Sequence, residues 1–268
     1  MNQAGITRRL FNLPMAFIGH IKGGLAHVNI LASMLFAGMS GAAIADTAGL
    51  GKIEMQAMEE EGYDVEFSGG ITIASSTIGI LIPPSIPQCM YGLCAGVSIG
   101  ALFMGGLIPG ILVGVCQMII CYFISKKRNY PKHKKATFKE ILHTFRETWP
   151  ALLLPLIILI GCGFGVATAT EIGCVAVLYA LFLGIFVYKE YKISQLPMLI
   201  AKSAVTSAVA LLIVGVATVV SYIINMEKIP TMIVQFFNEY CNNGIVVILL
   251  INVILFLVGC VMDLVPAM

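Results

Sequence analysis

The chain has 268 residues, 59% of them hydrophobic and only 11% charged, with a mean hydropathy of +0.94 and a net charge of +2. A soluble domain of ordinary composition is roughly 45–50% apolar and about 25% charged, and here no Asp, Glu, Lys or Arg occurs from residue 67 to residue 125. A bilayer-spanning helix needs about 20 apolar residues, so the composition excludes a soluble domain and gives an all-α polytopic membrane protein.

The small net charge is uninformative because the charge is local. Lys126, Lys127, Arg128, Lys132, Lys134, Lys135 and Lys139 crowd one loop, and Glu59, Glu60, Glu61, Asp64 and Glu66 crowd another. Loops rich in Lys and Arg favour the cytoplasm, so the basic loop is a topology signal, with lipid contact as its further role; nothing supports nucleic-acid binding. The eight cysteines lie in apolar stretches without a C-x-x-C pair, which indicates packing rather than zinc or disulfides. No signal peptide opens the chain.

Residues 7–30 mix Arg8, Arg9, Pro14, His20, Lys22, His27 and Asn29 with apolar residues, a pattern for an interfacial helix. His20 and His27 share a helix face as interfacial histidines, with a proton relay as the functional alternative. Asn29 either bonds a neighbouring helix or reaches the break that follows. An apolar arm of about 22 Å over 25–39 then meets Gly38, Ser40 and Gly41 and resumes over 42–58. Each arm is shorter than the ~30 Å hydrocarbon core. Glycine leaves helical angles cheaply, and in lipid such a break is tolerated only against protein or a water-filled cavity. The expectation is a re-entrant hairpin over 25–62 with Ser40 at its tip. Asp46, at membrane depth, is a site candidate because an unpaired carboxylate there is costly.

A second break follows within 69–91. Ser75, Ser76, Thr77 and Gly79 precede Pro83, Pro84, Ser85 and Pro87, and prolines so spaced cannot continue a helix. The plain alternative is a proline kink whose hydroxyls bond back to helix carbonyls. A span over 95–125 leads to the basic loop, a surface helix over 137–147, spans over 150–167 and 172–188, and a span over 203–226. Glu171 suits a helix cap, with an ion or proton role as the alternative. An arm from about 243 runs to Gly259 and Asp263, and the chain stops at Met268 inside an apolar run, as a truncated segment would. The two hairpins enter from opposite sides, the plan of an inverted repeat: 1–127 is the first repeat, 128–149 a cytoplasmic loop, and 150–268 a second repeat cut within its hairpin.

The motifs HIKGGLAHVN (20–29), FAGMSGAAIAD (36–46), GYD (62–64), ASSTIG (74–79), IPPSIP (82–87), YG (91–92), TE (170–171) and the stretch 259–268 closely resemble the large membrane subunit of TRAP transporters, the tripartite ATP-independent periplasmic transporters. The resemblance implies an elevator-type secondary transporter of the bacterial inner membrane, driven by sodium and carrying organic acids. Its implied partners are a small membrane subunit and a periplasmic substrate-binding protein. It implies no cofactor, with Na+ as coupling ion. Carried over by motif, Ser40, Asp46, Ser85 and Asp263 would meet the substrate, and Gly38, Ser40, Ser75, Ser76, Thr77 and Gly79 the sodium ion. Hard oxygen ligands at a helix break suit sodium, and free N–H groups at the start of the second arm suit a carboxylate. Ala42 stands where many members have a second serine, and Ala169 where a proline is usual. A stand-alone sodium–dicarboxylate carrier shares this chemistry. The run Gly38-Met-Ser-Gly41 also fits a rhomboid-type serine protease, but the only later histidines, His133 and His143, lie in or beside the basic loop.

Overall fold

A computed structural model describes residues 6–133, 135–189, 192–228, 231–232, 235 and 244–260. Among these the regular structure is helical: α1 (Ile6–Ile18), α2 (Gly24–Ser40), α3 (Ala43–Asp46), α4 (Lys52–Glu60), α5 (Val65–Ser76), α6 (Ile86–Ala95), α7 (Ile99–Arg128), α8 (Phe138–Gly163), α9 (Ala169–Phe182), α10 (Leu196–Met226) and α11 (Gly244–Gly259). A wide π-turn, Thr47–Gly51, joins α3 to α4; a 3-10 turn, Thr77–Ile80, follows α5; and a second π-turn, Leu183–Val187, extends α9. Four helices are long and apolar enough to cross a bilayer: Ile99–Arg128, Phe138–Gly163, Ala169–Val187 and Ile193–Met226. The chain divides into two units, 1–193 and 194–268.

Local chemistry sets the helix ends. Ser85 and Ser98 cap α6 and α7, each hydroxyl accepting a backbone N–H three residues on, as orphan first-turn donors require. Thr137 with Glu140 and Thr168 with Glu171 form reciprocal capping boxes for α8 and α9. Glu171 is therefore the cap expected for it. At the other ends, Gly41 (φ 63°), Gly96 (φ 66°) and Asn129 (φ 54°) take the left-handed conformation that closes helices.

In the first unit α2 is the centre. It packs against α1, α5, α7 and α8, and its residues Leu25, Val28, Ile30 and Phe36 are buried with Leu50, Met58 and Ile78. At 17 residues it is about 25 Å long. The reading of 137–147 and 150–167 as separate helices is corrected: α8 runs unbroken through Pro150 and Pro155. The two prolines remove the N–H donors of the Arg146 and Ala151 carbonyls, and the Tyr179 hydroxyl of α9 ties to the same helix at the Pro150 carbonyl (2.8 Å). The helix before residue 226 likewise begins at Leu196 rather than 203. Helices α8 and α9 pack with the first unit, a grouping by contact that is separate from a division by repeat symmetry. In the second unit α10 and α11 expose apolar side chains along their length.

Candidate functional site

The arm α2 ends where Gly41 turns left-handed and its N–H bonds back to the Ala37 carbonyl (3.2 Å). The chain extends through Ala42 (φ −149°, ψ 129°) and returns as α3. The Pro-Pro-Ser loop packs directly on this tip: the Ile86 N–H donates to the Gly41 carbonyl (3.1 Å). A Cβ on Gly41 would lie 2.5 Å from the Pro84 carbonyl oxygen, and one on Gly38 would lie 2.7 Å from Pro155 Cβ. Gly79 comes against the backbone of Ala42 and Ala43. Two chain breaks, far apart in sequence, thus meet backbone to backbone. Ser40 and Ser85 flank this seam.

The expected hydroxyls differ in how they are engaged. Ser85 is buried and donates to the Ile80 carbonyl (2.7 Å). Ser40 Oγ is enclosed and has no hydrogen-bond partner. Ser76 and Thr77 bond back to the Ile73 and Ala74 carbonyls (2.8 and 2.7 Å), the plain alternative weighed for them. Their oxygen lone pairs remain as acceptors. Ser75 instead belongs to a buried ladder that joins α2 to α5. Ser33 Oγ donates to Ser75 Oγ (3.1 Å), Ser75 to Asn29 Oδ1 (2.7 Å), and Asn29 Nδ2 to Thr72 Oγ1 (2.8 Å). Of the two roles open to Asn29, the structure shows the bond to a neighbouring helix.

Two glutamines that the sequence did not mark hold the second break. Gln88 Nε2 donates to the Leu81 carbonyl (2.9 Å) and Gln117 Nε2, from α7, to that of Ala74 (2.8 Å). Both oxygens they leave are buried and unpartnered. Breaking a helix frees carbonyls that need donors, and these side-chain amides supply them.

Asp46 is sealed behind the tip, 1% exposed, beside Ser33. Neither of its oxygens forms a hydrogen bond within normal geometry. Glu54, also 1% exposed and without a partner for either oxygen, is close enough to feel its charge. Glu54 escaped the sequence reading because it precedes the exposed glutamates 59–61 on what looks like one polar arm. Asp263 and the break after Gly259 lie outside the described residues.

The base of the hairpin is clasped by polar groups. Asp64 pairs with Arg128 and accepts the Tyr130 hydroxyl (2.7 Å). The Tyr130 bond first, then the Arg128 guanidinium, hold its carboxyl below the usual carboxylate range. Tyr130 stacks on Tyr63 with centroids 4.2 Å apart, and Arg128 lies over Phe67. His133 pairs with Glu61 (2.8 Å), while the Pro131 carbonyl and the His133 N–H bond to Gly23 and Gly19.

A family model described as the tripartite ATP-independent periplasmic transporter, DctM component, matches residues 1–268. The chain belongs to this family. Among the curated relatives of this DctM chain, the sialic acid TRAP transporter large permease protein SiaM of Vibrio cholerae is 44% identical over 259 residues, 97% of this chain and 61% of that protein. The sialic acid TRAP transporter permease protein SiaT of Haemophilus influenzae is 42% identical over 98% of this chain and 43% of its own length. The C4-dicarboxylate TRAP transporter large permease protein DctM of Pseudomonas aeruginosa is 34% identical over 98% of this chain and 62% of its own length. The chain thus spans less than two thirds of each relative. Membership and the four long apolar helices make it a multi-pass membrane protein of a transporter family. The protease reading falls with it: Ser40 Oγ has no partner, and His27, His133 and His143 pair with Gly23, Glu61 and Glu147.

Proposed function

We propose that this chain is the hairpin-bearing core of a sodium-coupled importer of organic acids, sialic acid and C4-dicarboxylates being the classes named for its relatives. The observation that carries the reading is the seam between Gly41 and the 84–86 backbone. The seam joins the residues that follow Ser40 and Ser85 in the chain, and a double chain break of this kind is how transporters hold cargo at membrane depth. The substrate would sit over Ser40 and Ser85, with Asp46 behind them and Asp263 contributed by the second hairpin. Its carboxylate would lie at the N-terminal end of the second arm, the positive pole of that helix.

Sodium would lie on the other side of the tip, served by Gly38, Ser40, Ser75, Ser76, Thr77 and Gly79. What supports this is the set of oxygens there. The C-terminal end of α2 is the negative pole of its dipole, and Ser76 and Thr77 spend their protons on carbonyls, leaving lone pairs as cation ligands. The hairpins would be re-entrant halves of an inverted repeat that moves as an elevator in a bacterial inner membrane. A small membrane subunit and a periplasmic binding protein would complete the assembly, the latter delivering the acid.

The test is uptake in proteoliposomes by the transporter containing this chain, under an imposed sodium gradient, with and without its binding protein. Uptake should need both, and Ser40→Ala should abolish it in a protein that still folds. Uptake without the binding protein would make this a stand-alone carrier. Uptake without sodium would remove the cation role from residues 75–79.

A further inference from the structure

Asp46 and Glu54 stand out as buried ionisable groups with no visible counter-charge. Both are 1% exposed, and all four carboxyl oxygens are without hydrogen bonds. Among the described residues, no Lys, Arg or His forms an ion pair with either. Glu54 lies eight positions beyond Asp46, which on a straight helix of 3.6 residues per turn would set it about 80° round. The intervening π-turn, Thr47–Gly51, is a wider i→i+5 turn. It swings Glu54 back toward the side of Asp46, so both carboxyls face inward.

The groups around the pair offer it no cation, and one hydroxyl, that of Ser33, lies beside Asp46. From α2, Ser33 gives its proton to Ser75, and Ser75 gives its own to Asn29. A bond from Ser33 to Asp46 would take that proton from the ladder. His27 on the same helix donates to the Gly23 carbonyl (2.9 Å). From α5, Thr72 receives the Asn29 amide, while Asp64 and Glu66 at the start of that helix are exposed. On the second arm Lys52 is exposed, and α1 carries no charge among its described side chains, 11–18. Two adjacent carboxylates, each buried at a cost of several kcal/mol when ionised and unpaired, cannot both be charged in such a place.

We propose that Asp46 and Glu54 together hold one proton, forming a protonation site within the first hairpin that joins Glu54, outside the sodium and substrate residues, to Asp46. The proton converts one acid into an O–H donor, which can bond the other carboxylate or the waiting Ser33 oxygen. It lowers the charge of the buried pair from −2 to −1. On the proposed function, and only there, it also weakens the repulsion that Asp46 would exert on an anionic substrate at the tip. The site itself does not depend on that reading.

Infrared spectroscopy of the purified transporter reads the C=O stretch of a protonated carboxyl without requiring transport. At neutral pH the wild type should show such a band in sodium and in potassium buffer alike. The Asp46→Asn, Glu54→Gln double variant should lose it. Glu54→Asp, which keeps an acid one methylene shorter, should shift it. No band in either buffer, or a band that survives in the double variant, overturns the proposal. A band present in potassium and abolished by sodium also overturns it, because the pair would then be a sodium site. Since the wild-type spectrum needs no substitution, a misfolded variant does not rescue the idea.

Discussion

Gly41 and Gly62 separate two costs that are usually mixed. Both have positive φ, 63° and 83°, a conformation that costs a non-glycine residue roughly 1–2 kcal/mol. A Cβ on Gly62 meets nothing within 4 Å, whereas one on Gly41 meets the Pro84 oxygen at 2.5 Å, and overpacking adds about 1–3 kcal/mol. Gly62→Ala should lower stability by about 1 kcal/mol and Gly41→Ala by about 2–4, the latter also losing uptake; unfolding of the two purified variants compares them directly. Asn29→Ala should cost about 2 kcal/mol, because it takes the amide donor from the buried Thr72 hydroxyl and leaves Ser75 with the Thr72 carbonyl alone as acceptor. Here the limits of the sequence are plain. The letters around Ser40 and Asp46 marked both as sites, since glycine and charge in an apolar run are visible in one dimension. They left Asn29 with two roles and Glu54 with none, because which face a residue presents after a π-turn is a three-dimensional fact.

At the level of elements, the second break is braced asymmetrically. The Leu81 carbonyl has one side-chain donor, Gln88, whereas Ala74 has two, Gln117 and Thr77. Leaving a buried acceptor unsatisfied costs about 1–3 kcal/mol, so Gln88→Met should destabilise by that much and Gln117→Met by less than about 1. If residues 75–79 hold the coupling ion, a 1.4 kcal/mol disturbance there corresponds to tenfold in affinity. The half-saturating sodium concentration for uptake should then rise about tenfold in Gln88→Met and little in Gln117→Met; equal values in the two would dissociate the brace from the ion. The stretch read as a hairpin, 25–62, holds helices α2 to α4, Gly24 to Glu60, whose ends fall where glycines and acidic residues bound the apolar arms. Pro150 misled: a proline beside Trp149 reads as an end, yet the helix runs on through it, with a tyrosine from α9 bonded to the Pro150 carbonyl.

For the molecule as a whole, the clasp at the hairpin base sets an acid limit. Asp64 has its carboxyl lowered in the folded state, so its contribution is complete above the unfolded value of about 3.9 and is lost as pH falls through the folded one. Thermal unfolding of the wild type should therefore weaken below about pH 4, and Asp64→Asn should remove that part of the pH dependence while lowering stability at neutral pH. Tyr130→Ala, which empties the aromatic stack on Tyr63 and removes the first bond that holds Asp64 ionised, should cost about 3 kcal/mol at neutral pH and less below about pH 4. The composition and a run of ordered motifs were enough to place the chain in its family, since apolar content and glycine spacing survive in a linear record. The clasp was not legible, because Asp64 before α5 and Arg128 at the end of α7 are far apart in sequence and nothing in the letters brings them together. The seam at the tip, finally, is made of main chain: a carbonyl of residue 41 and an amide of residue 86. Main-chain atoms are the same whatever the side chains, so Ser40 and Ala42 can be exchanged without unpicking the joint, whereas Ser85 also caps α6 and is bonded to Ile80. That makes the tip a socket whose fittings can be swapped, and, on the proposed function, paired changes at residues 40 and 42 are where cargo preference would be re-engineered on an unaltered frame.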